Sequence, residues 1–244
     1  MSEQRNPRQA ASVILLREAD PNGFEVFLTK RPDDMPFLGG MYCYPGGSVA
    51  KDDFSERMMR RCMGLSPEQA RKIVGAQFSP RHAVGFWVAA IREVFEEVRV
   101  LLAANSSGER CSMHRLGALR LAEKRKAMLD GSLSFAELLE SEELYCDLTG
   151  LGYFSHWQTP ALRFDTRFFV AALPRNQIPL PTSYEVTHSL WLSPEDAMQC
   201  HERGELPMIF PTFAALRTLA DFETLEDVLK EFGIGHPPGS SAPR

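Results

Sequence analysis

Arg92-Glu93-Val94-Phe95-Glu96-Glu97 lies in the strongest helical pattern of the chain, and how it is read decides the fold. At about 100° per residue, Glu93, Glu96 and Glu97 fall within one arc of roughly 100°. Trp87, Ile91, Val94, Phe95 and Val98 recur at spacings of three and four and make a neighbouring apolar stripe. Residues Ala83 to Leu102 are therefore predicted to form one amphipathic helix. Carboxylates stacked this way repel each other, at roughly a few tenths of a kcal/mol per i,i+4 pair. A divalent cation relieves that repulsion, and a hard cation such as Mg²⁺ takes carboxylate, phosphate and water oxygens. The ordinary alternative is a solvated acidic face. Upstream, Gly39-Gly40-Met41-Tyr42-Cys43-Tyr44-Pro45-Gly46-Gly47 reads as a short strand running into a glycine-rich turn, so the glutamates do not stand alone.

Working outward, Ser12 to Leu16 and Phe24 to Thr29 are apolar and β-prone, with Pro21-Asn22-Gly23 between them, which predicts a hairpin. In the polar stretch before the glutamate helix, Ser66-Pro67-Glu68-Gln69 has the form of an N-cap, a first-turn Pro and a capping-box partner, with Gly75 as the stop. Residues 110–158 are predicted to be helical and acidic, with Phe135, Leu138, Leu139 and Leu144 as their apolar stripe. Arg163 to Leu173 and Ser189 to Leu192 are predicted strands. Ser193-Pro194 opens a helix that Gly204 ends, and short helices follow near 212–221 and 224–232. One domain is expected over 8–235, with an insertion at about 52–82 and a frayed tail at 236–244.

With 244 residues and 44 % hydrophobic content, the chain can bury a real core. A net charge of −5 argues against a polymeric nucleic-acid partner. An anionic small molecule stays open, because a bound cation inverts the local field. The five cysteines are odd in number and lack a CxxC pair, so neither a disulfide framework nor a zinc site is signalled, and a reducing compartment fits. No apolar run has the length of a membrane span. Met1 to Ala11 lacks the apolar run of a secretory signal, and Ala242 to Arg244 is not a peroxisomal signal. The expectation is a cytoplasmic protein with no membrane partner.

Taken with Tyr44-Pro45-Gly46-Gly47, the Arg-Glu-Val-Phe-Glu-Glu core resembles the Nudix box, the signature of the Nudix hydrolases. Three departures stand out. Arg92 follows Gly47 by 45 positions where the box needs 14, so the loop carries about 31 extra residues. The first box glutamate falls on Val84, so that ligand or helper is missing unless Asp52 or Asp53 stands in for it. The glycine after the helix is Arg99, which implies either a strained left-handed cap or a helix that runs on. A box split in this way resembles the nucleoside diphosphate-linked moiety X motif 19 group of coenzyme A diphosphatases and its bacterial relatives. His156-Trp157-Gln158-Thr159-Pro160, Arg163 to Phe169 and Leu206-Pro207 agree with that group. Leu28-Thr29-Lys30-Arg31, Gly40 and the Pro-Gly-Gly turn partly match a coenzyme A pattern, with Pro32, Pro36 and Tyr44 as departures.

The resemblance implies an α/β/α sandwich with a mixed sheet, and hydrolysis of a diphosphate in a small nucleotide substrate. Coenzyme A or acyl-coenzyme A would give 3′,5′-ADP and phosphopantetheine; ADP-ribose, NADH or another nucleotide is the alternative. A catalytically silent binding module is the reading from another class. The implied metal, Mg²⁺ or Mn²⁺, would be held by Glu93, Glu96, Glu97 and the carbonyl of Gly46. Glu96 is assigned as the base, with Glu93 or Glu185 as alternatives. Arg92 orients a glutamate. Lys30 and Arg31 either meet phosphates or form a solvated strand end, and Arg163 and Arg167 are surface charges or ion-pair partners. The insertion and the 110–158 segment are the positional candidates for recognising the pantetheine or acyl part. A homodimer is common in the family.

Overall fold

The computed structural model describes residues 7–19, 21, 23–111, 117–159, 164–181 and 185–234. Alternation along β1 (Arg8–Glu18) sets the layers: Val13 and Leu15 face one side, Ile14 and Leu16 the other, and all four are fully buried. A strand buried on both faces belongs at the centre of a covered sheet. β2 (Phe24–Lys30) pairs antiparallel with β1 through Leu16↔Val26, as the hairpin expectation requires. β3 (Tyr42–Cys43) joins β2, and β4 (Gly46–Ser48) joins β1. Three short elements come later: β5 (Cys62–Met63), β6 (Ala103–Ala104) and β7 (Tyr145–Asp147). They are followed by β8 (Gly152–Thr159), β9 (Phe164–Ala172) and β10 (His188–Leu192). The large sheet runs β10-β2-β1-β9-β8, with β9 parallel to β1 and the other pairs antiparallel.

The helices are α1 (Glu56–Met59), α2 (Pro67–Val74), α3 (Pro80–Val98), α4 (Ala118–Leu129), α5 (Phe135–Ser141), α6 (Pro194–Glu202), α7 (Phe210–Leu219) and α8 (Leu225–Glu231). On one face of the sheet, α3 packs Phe86, Trp87, Ile91 and Phe95 against Val13, Leu15, Phe27 and Phe169. On the other, Leu216 and Leu219 of α7 and Val228 of α8 cover Ile14, Leu16, Val26 and Val170. This is the α/β/α sandwich with a mixed sheet.

α3 is more deeply set than an amphipathic helix: every residue from Ala83 to Ile91 is buried. The reason is a third body of structure. A small sheet ordered β5-β7-β6 ties the box insertion to the segment after α3, and Arg57 of α1 meets Glu137 and Glu140 of α5. Met58, Val74, Leu121 and Leu138 from these inserted parts share one core with α3. The predicted capping box is present, with Ser66 and Gln69 bonding reciprocally and Gly75 as the C-cap.

Four expectations need correction. The 110–158 segment is helical only through α4 and α5; β7 and β8 then take 145–147 and 152–159. A β-bulge between Tyr153 and Ser155 breaks the period-two alternation by which β8 would have been recognised. α3 stops at Val98 instead of Leu102, because Arg99 adopts a left-handed conformation (φ 63°, ψ 21°), the first of the two outcomes left open. Gly46-Gly47 is an edge strand rather than only a turn. Arg167 is an ion-pair partner but not a surface charge: it is 1 % exposed, bonded to Asp165 at 2.7 Å, with Phe78 and Phe86 rings on its guanidinium. Arg163 and the tail at 236–244 lie outside the described residues.

Candidate active site

Arg92 organises the glutamate turn. Its Nε and Nη2 donate to the two carboxylate oxygens of Asp53 at 2.8 and 3.0 Å. Its Nη1 donates to Glu93 at 2.8 Å and Glu96 at 3.1 Å, and Nη2 also reaches the Ser48 carbonyl at 2.9 Å. One guanidinium thus ties α3 to β4 and to the short 3-10 turn Lys51–Phe54 that carries Asp53. Asp53 is 2 % exposed and also accepts from the Ala50 N–H at 2.7 Å. Burial disfavours the Arg92 charge, but Asp53, Glu93 and Glu96 outweigh it and hold its pKa above the usual arginine value. Of the two proposed stand-ins, Asp53 is the one drawn into the turn, and its partner is Arg92.

The third glutamate faces the glycines. Glu97 accepts a hydrogen bond from the Gly46 N–H at 3.2 Å. Burial drives its carboxyl well above the usual range, and the charges of Glu93 and Glu185 add to that. Burial likewise pushes Glu93 up to about 7 against the opposing pull of Arg92, and raises Glu96. Such groups resist ionising together, a situation that a divalent cation relieves. The donor set is all oxygen, which suits a hard cation. Among the described residues, no three His, Cys, Asp or Glu side chains already converge as a metal-holding group.

The glycines have a second role. A Cβ on Gly47 would lie 2.5 Å from the Glu93 carboxylate. A Cβ on Gly46 would lie 2.4 Å from the Ala11 carbonyl. The bare strand β4 is thus a window through which Glu93, carried by a helix on one face, borders a cleft on the other.

That cleft has a volume of about 710 Å³, within the range of about 300–1,000 Å³ usual for ligand sites. Its floor is the uncovered half of the sheet, with Ala10, Ser12 and Thr166 as small residues. Phe37, Phe164 and Trp157 give an aromatic wall, with the Phe37 and Phe164 ring centroids 4.7 Å apart. Glu93 and Glu185 border it, as does Arg31, whose Nε donates to the Phe37 carbonyl at 3.1 Å.

The two predicted phosphate-meeting residues separate here. Arg31 lines the cleft, whereas Lys30 pairs with Asp33 at 3.0 Å and is not among the lining residues. Glu96 is not among them either, so Glu93 and Glu185 are the carboxylates of the site that face it. Cys43 borders the cleft, but burial and the nearby Glu97 push its thiol up to about 11, which disfavours a nucleophilic thiolate. Among the described residues, the insertion at 52–82 and the 110–150 part of the next segment contribute no lining residue; Trp157 of β8 does.

One residue carried no sequence signal. Arg125 of α4 is 7 % exposed, and its guanidinium donates to the carbonyls of Phe95, at 3.1 Å, and Glu96, at 2.7 Å. These are carbonyls of the last turn of α3, where helical hydrogen bonding runs out; that of Phe95 also accepts from the Arg99 N–H at 3.0 Å. Arg125 therefore caps the glutamate helix from the inserted block.

A split-box glutamate helix, a bare Gly-Gly edge strand and a sandwich fold define a Nudix hydrolase. A model of the NUDT19 Nudix domain matches residues 7–219, and the chain belongs to that family. It is similar to the acyl-coenzyme A diphosphatase NUDT19 of Gallus gallus, 29 % identical over 93 % of this chain and 71 % of that one. The Homo sapiens acyl-coenzyme A diphosphatase NUDT19 is 27 % identical over 93 % of this chain and 72 % of its own length. The crystal structure of a NUDIX hydrolase from Alicyclobacillus acidocaldarius superposes with a TM-score of 0.76 at 24 % identity, covering 95 % of this chain and 99 % of that one. That structural likeness bears on the fold alone.

Proposed function

We propose that the chain hydrolyses the diphosphate of coenzyme A or an acyl-coenzyme A, releasing 3′,5′-ADP and the (acyl-)phosphopantetheine. The observation that carries this is the Gly46-Gly47 window, which sets Glu93 against an aromatic-walled cleft of nucleotide size. The names of the chicken and human relatives supply the substrate class. Glu93, Glu96, Glu97 and the Gly46 carbonyl would hold Mg²⁺ or Mn²⁺. When bound, the cation neutralises diphosphate oxygens and lowers the pKa of water.

The chain's own groups do the rest. Arg31 meets phosphate oxygens at the carboxylate end of the cleft. The aromatic wall takes a face of the base. A carboxylate accepts the proton of the attacking water. Cleft lining favours Glu93 or Glu185 for that role over Glu96, which does not border the cleft. Arg92 itself binds protein carboxylates on three sides, so it orients them and does not meet substrate.

The test is product analysis by liquid chromatography and mass spectrometry. The protein is incubated with Mg²⁺ or Mn²⁺ and coenzyme A, acetyl-coenzyme A, ADP-ribose and NADH. Metal-dependent 3′,5′-ADP with phosphopantetheine is the expected outcome. AMP from ADP-ribose or NADH, with coenzyme A intact, would reassign the substrate within the family.

A further inference from the structure

We propose that Arg8 is a specificity determinant that binds a second phosphate, one carried on the ribose of the substrate's nucleoside. The inference rests on the function proposed above and adds a residue and a subsite to it.

Among the described residues, the cations lining the cleft are Arg8 and Arg31. They serve different ends. Arg31 is engaged near the carboxylates: it donates to the Phe37 carbonyl, and its charge offsets part of the rise that burial imposes on Glu97 and Cys43. Arg8 opens β1 at the other end. Its place is fixed by register: Ser12 faces Gly46, Ala11 faces Gly47, Ala10 faces Ser48, and Arg8 pairs across to Phe164. Three residues of extended chain therefore separate the Gly47 window from Arg8, about 10 Å at roughly 3.3 Å per residue. Between them, the floor carries the small side chains of Ala10 and, paired with it on the neighbouring strand, Thr166; Phe168 lies beside Ser12, past the window.

The strand partner of Arg8, Phe164, is half of the Phe37–Phe164 pair. A base stacked on that wall leaves its ribose between the wall and the window. The 5′ side then leads to the carboxylates, and the remaining ribose hydroxyls face Arg8. A phosphate on one of them would meet a guanidinium suited to bidentate pairing. The chain carries a net charge of −5, so its overall field does not attract an anionic ligand and a local cation must do so. The 3′-phosphate of coenzyme A and the 2′-phosphate of an NADP-type nucleotide share this chemistry.

Calorimetry separates the cases without requiring turnover. Adenosine 3′,5′-bisphosphate, adenosine 2′,5′-bisphosphate and AMP are titrated, with Mg²⁺ present, into the unaltered protein and into Arg8→Gln and Arg8→Lys. The expected result is that one bisphosphate binds the unaltered protein about tenfold tighter than AMP or better. That ratio falls toward one in Arg8→Gln and stays intermediate in Arg8→Lys. Preference for the 3′ isomer identifies the coenzyme A phosphate, and preference for the 2′ isomer the NADP type. Equal affinity for all three, no binding, or a ratio that survives Arg8→Gln overturns the proposal. Turnover of coenzyme A and 3′-dephospho-coenzyme A is read separately. Cleavage of neither removes the proposed function, while the binding ratio still judges Arg8.

Discussion

The two faces of the large sheet are built for different work. On the α3 face, the core is filled: the helix is buried all round from Ala83 to Ile91, and the inserted block adds a further layer. On the opposite face, α7 and α8 cover only the half of the sheet around Ile14, Leu16 and Val170, and the other half is left as the cleft. The carboxylates ride on the filled face, and the space for substrate lies on the open one. The comparison teaches that the two must communicate through the sheet, and β4 is where they do. It also assigns the insertions. Their described residues enlarge the filled face and brace the glutamate helix, and none of them lines the cleft.

The largest break in that arrangement is loss of the group that crosses it. Glu93→Gln is expected to lower kcat about 10³-fold, within the usual range for a carboxylate acting in proton transfer. Glu96→Gln is expected to lose less, because Glu96 is not among the cleft-lining residues. Steady-state kinetics at saturating metal would show the order, and the reverse order would return the base to Glu96. Next comes the window itself. Gly47→Ala meets the flexible end of Glu93, so the fold should hold while activity falls about 100-fold. Gly46→Ala meets the backbone of Ala11 and Ser12 and should cost stability instead, roughly 1–3 kcal/mol. Paired thermal melts and rates distinguish a window from a tight turn. If Gly47→Ala retains full rate, the crossing is not where Glu93 acts.

How much of this was legible beforehand follows the range of the interactions. The glutamate turn, the hairpin and the Ser66 capping box are local patterns, and each appears where the residues place it. β8 was hidden because its bulge removes the alternation that marks a strand. Arg167 stayed open between a surface charge and an ion-pair partner because Phe78 and Phe86, which bury it, lie far away in the chain and become its neighbours only on folding. The cleft-facing position of Glu185 against the absence of Lys30 depends on loop geometry that spacing does not encode. Arg125 left no trace because its partners are backbone carbonyls, which every residue has.

That hidden contact gives the next prediction. Arg125→Met removes charged donors from the Phe95 and Glu96 carbonyls, at a cost of about 1.5–3 kcal/mol. If the inserted block braces the catalytic turn, kcat should fall about tenfold with KM little changed. Arg125→Lys should recover part of the loss. A melting temperature that drops while kcat of the folded fraction is unaltered would make the block a stabiliser only.

The smallest effect has the opposite sign. Arg99 ends α3 with φ 63°, where its N–H donates to the Phe95 carbonyl at 3.0 Å and the neighbouring Val98 carbonyl accepts from Leu180 at 2.9 Å. The cap geometry is therefore complete, and only the Cβ is out of place in a left-handed residue. Arg99→Gly should relieve that cost and stabilise by about 0.5–1 kcal/mol after the extra freedom of glycine in the unfolded chain is counted. For a chain of this size that is a rise in melting temperature of about 1–4 °C. The rate should not change, because the carbonyls that fix the glutamate turn keep their partners in Arg125 and Leu180. A loss of activity in Arg99→Gly would mean that its guanidinium contributes to the site, and the brace would then extend beyond the backbone of α3 to the residue that closes it.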